Sequence, residues 1–547
     1  MMTRKIVITD ESTIPEVLKA RVRSIPDQIA QVSGGERMTY GEFGKLVDKL
    51  TSGLIDLGIE PGEKVAMIFP SGNTFPVVLY AIIQMGAVPV AVNPTLKAPE
   101  IQYILDNSDS VAVLVSEQFS DIDPLSHLRE MLPELPNIRQ VIVDGESKGT
   151  EVRLQTLIEN SQARAEYHQA DPHDLAALIY TSGTTGFPKG SMHSHYTLLY
   201  PLRGDPIKTP TPLQILKIIW RYGLGYFIQL IKVYSSPLRI LMSMPPYTGG
   251  GVTGMINYFL MGRTTIHIDR FTPSEFLKAI EKEKVNILAL TPALAKMMLL
   301  NPDFDKFDLR SLVYVVIGTA PTPPALVDEV MEKFKRPVMM SFGATELVGT
   351  PTLTNPFADS HQALRETVGK AGIGWDVKIV DENRQPVPVG EIGELVLRGG
   401  TRMLGYYKAE ELTQKAFDDQ GWYYSGDLAT IDKHGYVRIA GRVKDMIIRA
   451  GQNIYPTELE SVMVTYPKVH QVAVVGLPDA ISGERVVAFV IPKEGEEITP
   501  VEFLNFCRVN LAPYKVPAQV YFRDEFPMNA TGKVLKRVLR EDVLANN

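Results

Sequence analysis

The stretch "LAALIYTSGTTGFPKGS", residues 175–191, joins an apolar run to a loop that suits neither a helix nor a packed strand. The run LAALIY reads as a buried strand. Beyond it Gly183, Gly186, Pro188 and Gly190 punctuate the chain, and Thr181, Ser182, Thr184 and Thr185 compete for backbone hydrogen bonds. Successive N–H groups in a glycine-rich loop form a concavity for anions. The hydroxyls add donors and Lys189 adds charge. A strand feeding a phosphate grip is the expectation. It is not a Walker loop, because Lys189 lies between Pro188 and Gly190 and the glycine spacing is wrong. The dinucleotide spacing G-x-G-x-x-G also fails here. A match elsewhere, GGGVTG at 249–254, lacks a clear strand–turn–helix setting.

Working outward, KVAMIF (64–69), SVAVLV (110–115), QVIVD (140–144), NILAL (286–290), LVYVVIG (312–318) and PVMMSF (337–342) alternate with helical patterns. Strands apolar on both faces and separated by helices predict largely parallel α/β sheets. From about residue 370, DVKIVD, GELVLRG, LATID and GYVRIAG are joined by turn signals, which predicts a β-rich, barrel-like unit. Beyond 444, HQVAVVGLPD and RVVAFVIP read as strands and YPTELESVMVTY as a helix with proline near its start. At 547 residues the chain exceeds a single core of about 250–300. The predicted organisation is an N-terminal domain, 1–443, and a small α+β domain, 444–547. The first holds two parallel α/β sheets to about 365 and a β-rich subdomain at about 366–443.

Composition is that of a soluble globular protein, 45% apolar and 22% charged. A net charge of −7 argues against a dedicated nucleic-acid binder. Cys507 is the single cysteine, which excludes an internal disulfide and a multi-cysteine metal site and suits a reducing compartment. The N-terminal residues show no long apolar run and no small-residue cleavage site, so the cytoplasm is the expected location.

One span is anomalous. Between Asp205 and Asp269 there is no Asp or Glu, yet Lys208, Lys217, Arg221, Lys232, Arg239 and Arg263 are present. LQILKIIWRYGLGYFIQLIKVY, at 213–234, is too interrupted to span a membrane with confidence from its hydropathy. The first expectation is a buried or pocket-lining helix whose basic heads reach water. The alternative is an interfacial helix pair giving peripheral membrane contact through 205–242.

YTSGTTGFPKG resembles the signature loop of the adenylate-forming enzymes: acyl- and aryl-CoA synthetases, adenylation domains and luciferases. The resemblance recurs in order from MTYGEF (38–43) to NATGKVLKR (529–537), over most of the chain. It implies an ATP site built on Thr181, Ser182, Gly183, Thr184, Thr185, Gly186 and Lys189. IGTAPTP (317–323) resembles the segment beside adenine that also lines the acyl pocket, bringing in Gly318, Thr319, Ala320 and Pro321. SFGATELVG (341–349) resembles the segment holding Phe342, Gly343, Ala344 and Thr345, with Glu346 the Mg²⁺ carboxylate and Thr185 its companion. GWYYSGDLATID (421–432) implies that Asp427 accepts from the ribose hydroxyls. IAGRVKDMIIRAGQNIYPTELE (439–460) supplies Ile439 and Arg442 near the nucleotide and Lys444 at the family's interdomain hinge. PMNATGK (527–533) resembles the loop that presents the catalytic lysine, Lys533, which acts with Glu346 and Thr345.

The implied reaction has two steps. A carboxylate attacks the α-phosphate of ATP, and coenzyme A then displaces AMP from the acyl-adenylate. The C-terminal domain turns about Lys444 between them, so that Ala450 and Gly451 line the thiol channel. Departures from the family pattern bear on the acid. PPYTGGG (245–251) places Tyr247, Thr248 and Gly249 at the acyl pocket by the same resemblance, and its glycines predict a gate that is wider or differently built. Phe342 stands where tyrosine is usual, and Ala450 replaces a frequent glycine. A medium- or long-chain or alicyclic hydrophobic acid is expected. A ligase loading a separate carrier protein is the alternative, and a non-catalytic membrane-associated relative is the contrasting class. The partners implied are the acid, ATP and CoA, with no nucleic acid; a homodimer is left open.

Overall fold

Strands that are apolar on both faces need cover on both sides, and two large sheets obtain it from shared helices. The computed structural model describes residues 6–117, 119, 122–181, 188–203, 212–234, 236–268, 272–450, 452–529 and 532–545, with backbone only at four residues of the 212–234 span. The first sheet has eight strands, in the order Gly405–Tyr406, Lys189–Ser194, Leu175–Thr181, Val88–Ala91, Lys64–Ile68, Ser110–Ser116, Gln140–Asp144 and Val152–Arg153. It is parallel except at the Leu175–Thr181 edge, where two antiparallel strands are added. The second has nine strands: Lys370–Ala371, Leu347–Leu353, Val338–Ala344, Tyr314–Ile317, Ile287–Leu290, Arg239–Leu241, Thr264–His267, Ile29–Ser33 and Glu36–Thr39. From Val338–Ala344 to Ile29–Ser33 it is parallel.

Helix Thr74–Gln84 is buried along almost its whole length, as its continuous apolar sequence requires. It packs with helix Gly249–Leu260, and the Tyr80 hydroxyl donates to the Ile256 carbonyl at 2.8 Å. Their core takes Val65 and Leu114 from the first sheet and Ala30 from the second. The rings of Phe43 and Phe259 meet there at 4.6 Å. Removing one of these rings would cost about 3–5 kcal/mol through the cavity left behind.

The β-rich unit is an antiparallel sheet of Trp375–Val380, Gly393–Gly399, Tyr423–Ile431 and Val437–Arg442. Its inner face holds Ile379, Leu395, Leu397 and Val437 over Leu347. No strand pair joins its first strand to its last among the described residues. Farther on, Val469–Asp479 and Gly483–Pro492 form a long hairpin, with Gln519–Phe522 parallel to the second strand. Helices Pro456–Met463 and Pro500–Asn510 cover it, burying Leu459, Phe503 and Cys507.

The anomalous basic segment forms two helices, Pro212–Tyr222 and Leu224–Tyr234, separated by Gly223 at φ +87°. Ile218, Tyr226 and Leu230 pack on Val313, and the Tyr226 hydroxyl donates to the Val313 carbonyl at 2.6 Å. Val313 precedes the strand Tyr314–Ile317, whereas Gly318 follows it. At about 3.3 Å per residue these ends lie roughly 16 Å apart. The described part of the segment therefore docks at the amino end of the sheet and does not line a pocket at its carboxyl end. Among the described residues no helix is long and apolar enough to cross a membrane.

Candidate functional site

In an open parallel sheet the strands' carboxyl ends leave a crevice where ligands bind. Three strands of the nine-stranded sheet deliver residues to it. After Ile287–Leu290, Thr291 caps helix Pro292–Leu299, its hydroxyl accepting from the Leu294 N–H at 3.2 Å. After Tyr314–Ile317 comes Gly318, whose N–H donates to the Leu290 carbonyl at 3.2 Å. A Cβ on Gly318 would stand 2.8 Å from the Ser341 hydroxyl, so the close approach requires glycine. Thr319 is held at φ +72°, where a β-branched residue is strained. Ala320 and Pro321 continue this edge of the crevice.

Strand Val338–Ala344, with Phe342, Gly343 and Ala344 at its end, reverses directly into Leu347–Leu353. Ala344 pairs with Leu347, so Thr345 and Glu346 form the two-residue tip of a hairpin. The Tyr406 hydroxyl donates to Glu346 Oε1 at 2.6 Å. Burial, and then Glu346 itself, push the Tyr406 phenol well above its ordinary pKa. Tyr406 belongs to the other sheet, paired with Ser191 one strand away from Leu175–Thr181. The Lys189 ammonium lies over its ring, 5.6 Å from the centroid.

Thr181 and Lys189 face each other where strands Leu175–Thr181 and Lys189–Ser194 end and begin. Ser182, Gly183, Thr184, Thr185 and Gly186 lie outside the described residues, as does Gly451. The hairpin stem nevertheless aims Lys189 at the same place as Glu346.

A second cluster comes from the β-rich unit. Asp427 and Arg442 sit opposite each other on adjacent antiparallel strands. Arg442 Nε is 2.8 Å from Asp427 Oδ1. Asp427 is buried, which raises its pKa, while Arg442 and Lys533 pull it back. The turn before it is fixed at both ends. The Gly426 N–H donates to Glu394 Oε1 at 2.9 Å, and the Asp427 N–H donates to the Ser425 hydroxyl at 3.0 Å. Gly426 has φ +69°, which glycine adopts at no steric cost. Ile439 lies on the same strand as Arg442, part-buried against the unit's core.

Lys533 reaches this cluster from the far end of the chain. Its N–H donates to Asn529 Oδ1 at 2.9 Å, and the Asn529 N–H donates to the Lys533 carbonyl at 2.9 Å. Gly532, at φ +75°, sits against helix Pro292–Leu299, where a Cβ would be 3.4 Å from that of Ala293. Burial, and next the nearby Arg442, lower the Lys533 ammonium to about 8, with Asp427 opposing them. Lys444, in the single turn Val443–Asp445, is also lowered, chiefly by burial. The Thr457 hydroxyl donates to the Ala440 carbonyl across the same junction. Ala450 is held at φ +49° with its N–H on the Ser482 carbonyl at 2.7 Å.

Tyr247, Thr248 and Gly249, expected to gate the acyl pocket, lie at the start of helix Gly249–Leu260. Thr248 caps helix Gly249–Leu260, its hydroxyl accepting from the Gly251 N–H at 3.1 Å. A Cβ on Gly249 would lie 2.5 Å from Thr345 Oγ1, and one on Gly251 only 2.0 Å from the Pro245 carbonyl oxygen. These glycines let the helix start press against Thr345 and Pro245, so their missing side chains do not leave equivalent free space. Tyr247 is buried, which pushes its phenol up to about 12. His193 is fully buried, and burial lowers it to about 4. The Thr345 carbonyl faces its ring and partly opposes this, but neither ring nitrogen makes a hydrogen bond by distance and angle.

The structure thus brings Thr345, Glu346 and Lys189 together on one side and Asp427, Arg442, Lys444 and Lys533 on the other. Tyr406, Glu394 and His193 escaped sequence reading. Each stands in a run that reads as ordinary strand, so no local pattern marks it.

An acidic hairpin tip and a cationic wall around such a crevice define an α/β enzyme that handles a phosphorylated ligand. The AMP-binding enzyme model matches residues 18–407, and the AMP-binding enzyme C-terminal domain matches 458–533. The chain belongs to the AMP-binding enzyme family and is an adenylate-forming ligase. It is 31% identical over 562 residues to the mitochondrial medium-chain acyl-CoA ligase ACSF2 of Homo sapiens, covering 98% of this chain and 88% of that one. Its fold is similar to the anthranilate CoA ligase AuaEII in complex with anthranoyl-AMP, at TM-score 0.84 and 25% identity over 99% of each chain. It is likewise similar to ATP-bound MatB from Rhodopseudomonas palustris, at TM-score 0.82 and 25% identity, covering 97% of this chain and 99% of that one.

Proposed function

We propose that the protein joins a hydrophobic carboxylic acid to coenzyme A through an acyl-adenylate, releasing pyrophosphate and AMP. The observation that carries this reading is the placement of Lys533 beside Asp427 and Arg442, with Thr345 and Glu346 at the facing hairpin tip. In this reading Asp427 accepts from the ribose hydroxyls, and Arg442 orients the carboxylate while adding positive charge. Lys533 steadies the negative charge that grows on the acyl carboxylate and α-phosphate oxygens. Lys189 and the loop 182–187 hold the departing pyrophosphate. No side chain has to act as the nucleophile, since the substrate carboxylate supplies it and catalysis is positioning plus electrostatics.

The donor set suits Mg²⁺, a hard cation that takes one or two carboxylates plus phosphate oxygens. Tyr406 occupies only Oε1 of Glu346 and leaves Oε2 without a hydrogen bond among the described residues. Glu346, with Thr185 as companion, would hold the ion, which supplies neutralisation of the triphosphate charge when bound. The domain boundary near 443–444 and rotation about Lys444 belong to the same proposal. The short turn Val443–Asp445 between two hydrogen-bonded units supports it.

A medium- or long-chain or alicyclic acid is the reading supported by the human relative, which is named a medium-chain acyl-CoA ligase. The test is pyrophosphate release over aliphatic, alicyclic and aromatic acids, each with free CoA, with a holo-carrier protein or with neither. Acid-dependent release and thioester formation with CoA are expected. Turnover with the carrier protein alone would replace CoA by that partner, and no release with any acid would overturn the reading.

A further inference from the structure

We infer that the helix pair spanning 212–234 is a docking surface for an anionic phospholipid bilayer. The inference does not depend on which acid is activated. These helices are apolar on two opposite faces. At about 100° per residue, Ile218 and Tyr222 fall on one side of the first helix and Tyr226 and Leu230 on the matching side of the second. This is the face packed on Val313. Roughly 160–200° around, again at about 100° per residue, the other face carries Leu216 and Trp220, then Leu224 and Ile228. Their exposures are 64%, 89%, 58% and 45%. Docking to the sheet has therefore used one apolar face and left the other to solvent. Contiguous exposed apolar side chains of this kind mark an interaction surface.

Charge identifies the occupant. Arg221 and Lys232 are exposed beside the apolar face, and no acidic residue occurs between Asp205 and Asp269. The whole chain carries −7, so an anionic surface repels most of the molecule and attracts this part. An apolar ridge with an exposed tryptophan and flanking Lys or Arg is the chemistry of a helix lying in the headgroup region. Each helix has 11 residues, too few to cross a bilayer and enough to lie on it. Docking at the amino end of the sheet leaves the crevice at its carboxyl end free.

The test uses the full-length protein and vesicles of phosphatidylcholine with or without phosphatidylserine. Flotation with the anionic vesicles at low salt is expected, with weaker recovery at high salt and little on neutral vesicles. Tryptophan emission should shift to the blue through Trp220 on binding. Trp220→Ser with Leu224→Ser, and separately Arg221→Glu with Lys232→Glu, should each lower vesicle affinity about tenfold or more. All four side chains project outward, so thermal stability and pyrophosphate exchange with a soluble acid should stay unchanged. No flotation of the parent protein at low salt, or equal flotation of both variants, would overturn the inference. So would a dimer that Trp220→Ser with Leu224→Ser dissociates without any vesicle binding, since the ridge would then cover a second copy of the chain.

Discussion

Lys533 is pushed by burial and by Arg442 to a pKa of about 8, and that shift has a kinetic sign. The cation is present below about 8 and is lost as pH rises through it. If the cation steadies the transition state, kcat/KM for ATP–pyrophosphate exchange should fall over that interval, because this ratio reports the free enzyme. Lys533→Arg stays cationic and should remove the falling limb, whereas Lys533→Ala should lose about 100-fold or more of exchange at neutral pH. A stopped pH series with all three proteins checks both statements. Tyr406 offers a second residue-level measurement. Tyr406→Phe deletes the bond to Glu346 and little packing, so the Mg²⁺ concentration for half-maximal exchange should rise about tenfold with thermal stability nearly unchanged. Asp427, Arg442 and Lys533 could be singled out from the sequence because the motifs around them resemble those of the adenylate-forming enzymes, not because strand or helix patterning marks them. Tyr406 could not, because a tyrosine in a short strand looks like core until its hydroxyl is seen to point at a carboxylate on another sheet.

Among the elements, the longer strands were legible because their apolar runs exceed what a half-exposed strand would carry. Val88–Ala91, Arg239–Leu241 and Thr264–His267 were not, since runs of three or four residues leave no period to read. The basic helix pair was legible as helix but not as to position, because hydropathy alone does not separate a face packed on Val313 from one that lines a cavity. Gly249 and Gly251 could be read two ways for a related reason: bulk missing from a sequence need not be space in a fold, and Thr345 and Pro245 already stand against them. The turn Val443–Asp445 makes its own prediction. Proline at Lys444 fixes φ near −65° and restricts Val443 as well. Lys444→Pro should therefore spare pyrophosphate exchange and abolish thioester formation, measured as separate half-reactions. Equal loss of both would remove the hinge from the mechanism.

At the scale of the whole molecule, Gly532 lies against Ala293, so the loop that carries Lys533 is seated on helix Pro292–Leu299. The corresponding Cβ positions are 3.4 Å apart, close to the usual disulfide separation of about 3.5–4.5 Å. Ala293→Cys with Gly532→Cys should cross-link under mild oxidation, keep pyrophosphate exchange and lose CoA-dependent turnover until a reductant is added. The native thiol, Cys507, is buried and should not interfere. The bond between Glu346 and Tyr406 has a different consequence at this scale. It is a rivet through the seam between the two large sheets, set at the end of a hairpin lever on one side and a strand edge on the other. The Met403 N–H also donates to the Glu346 carbonyl at 2.9 Å, so backbone laces the seam as well, and loss of the phenol would free the carboxylate without parting the plates.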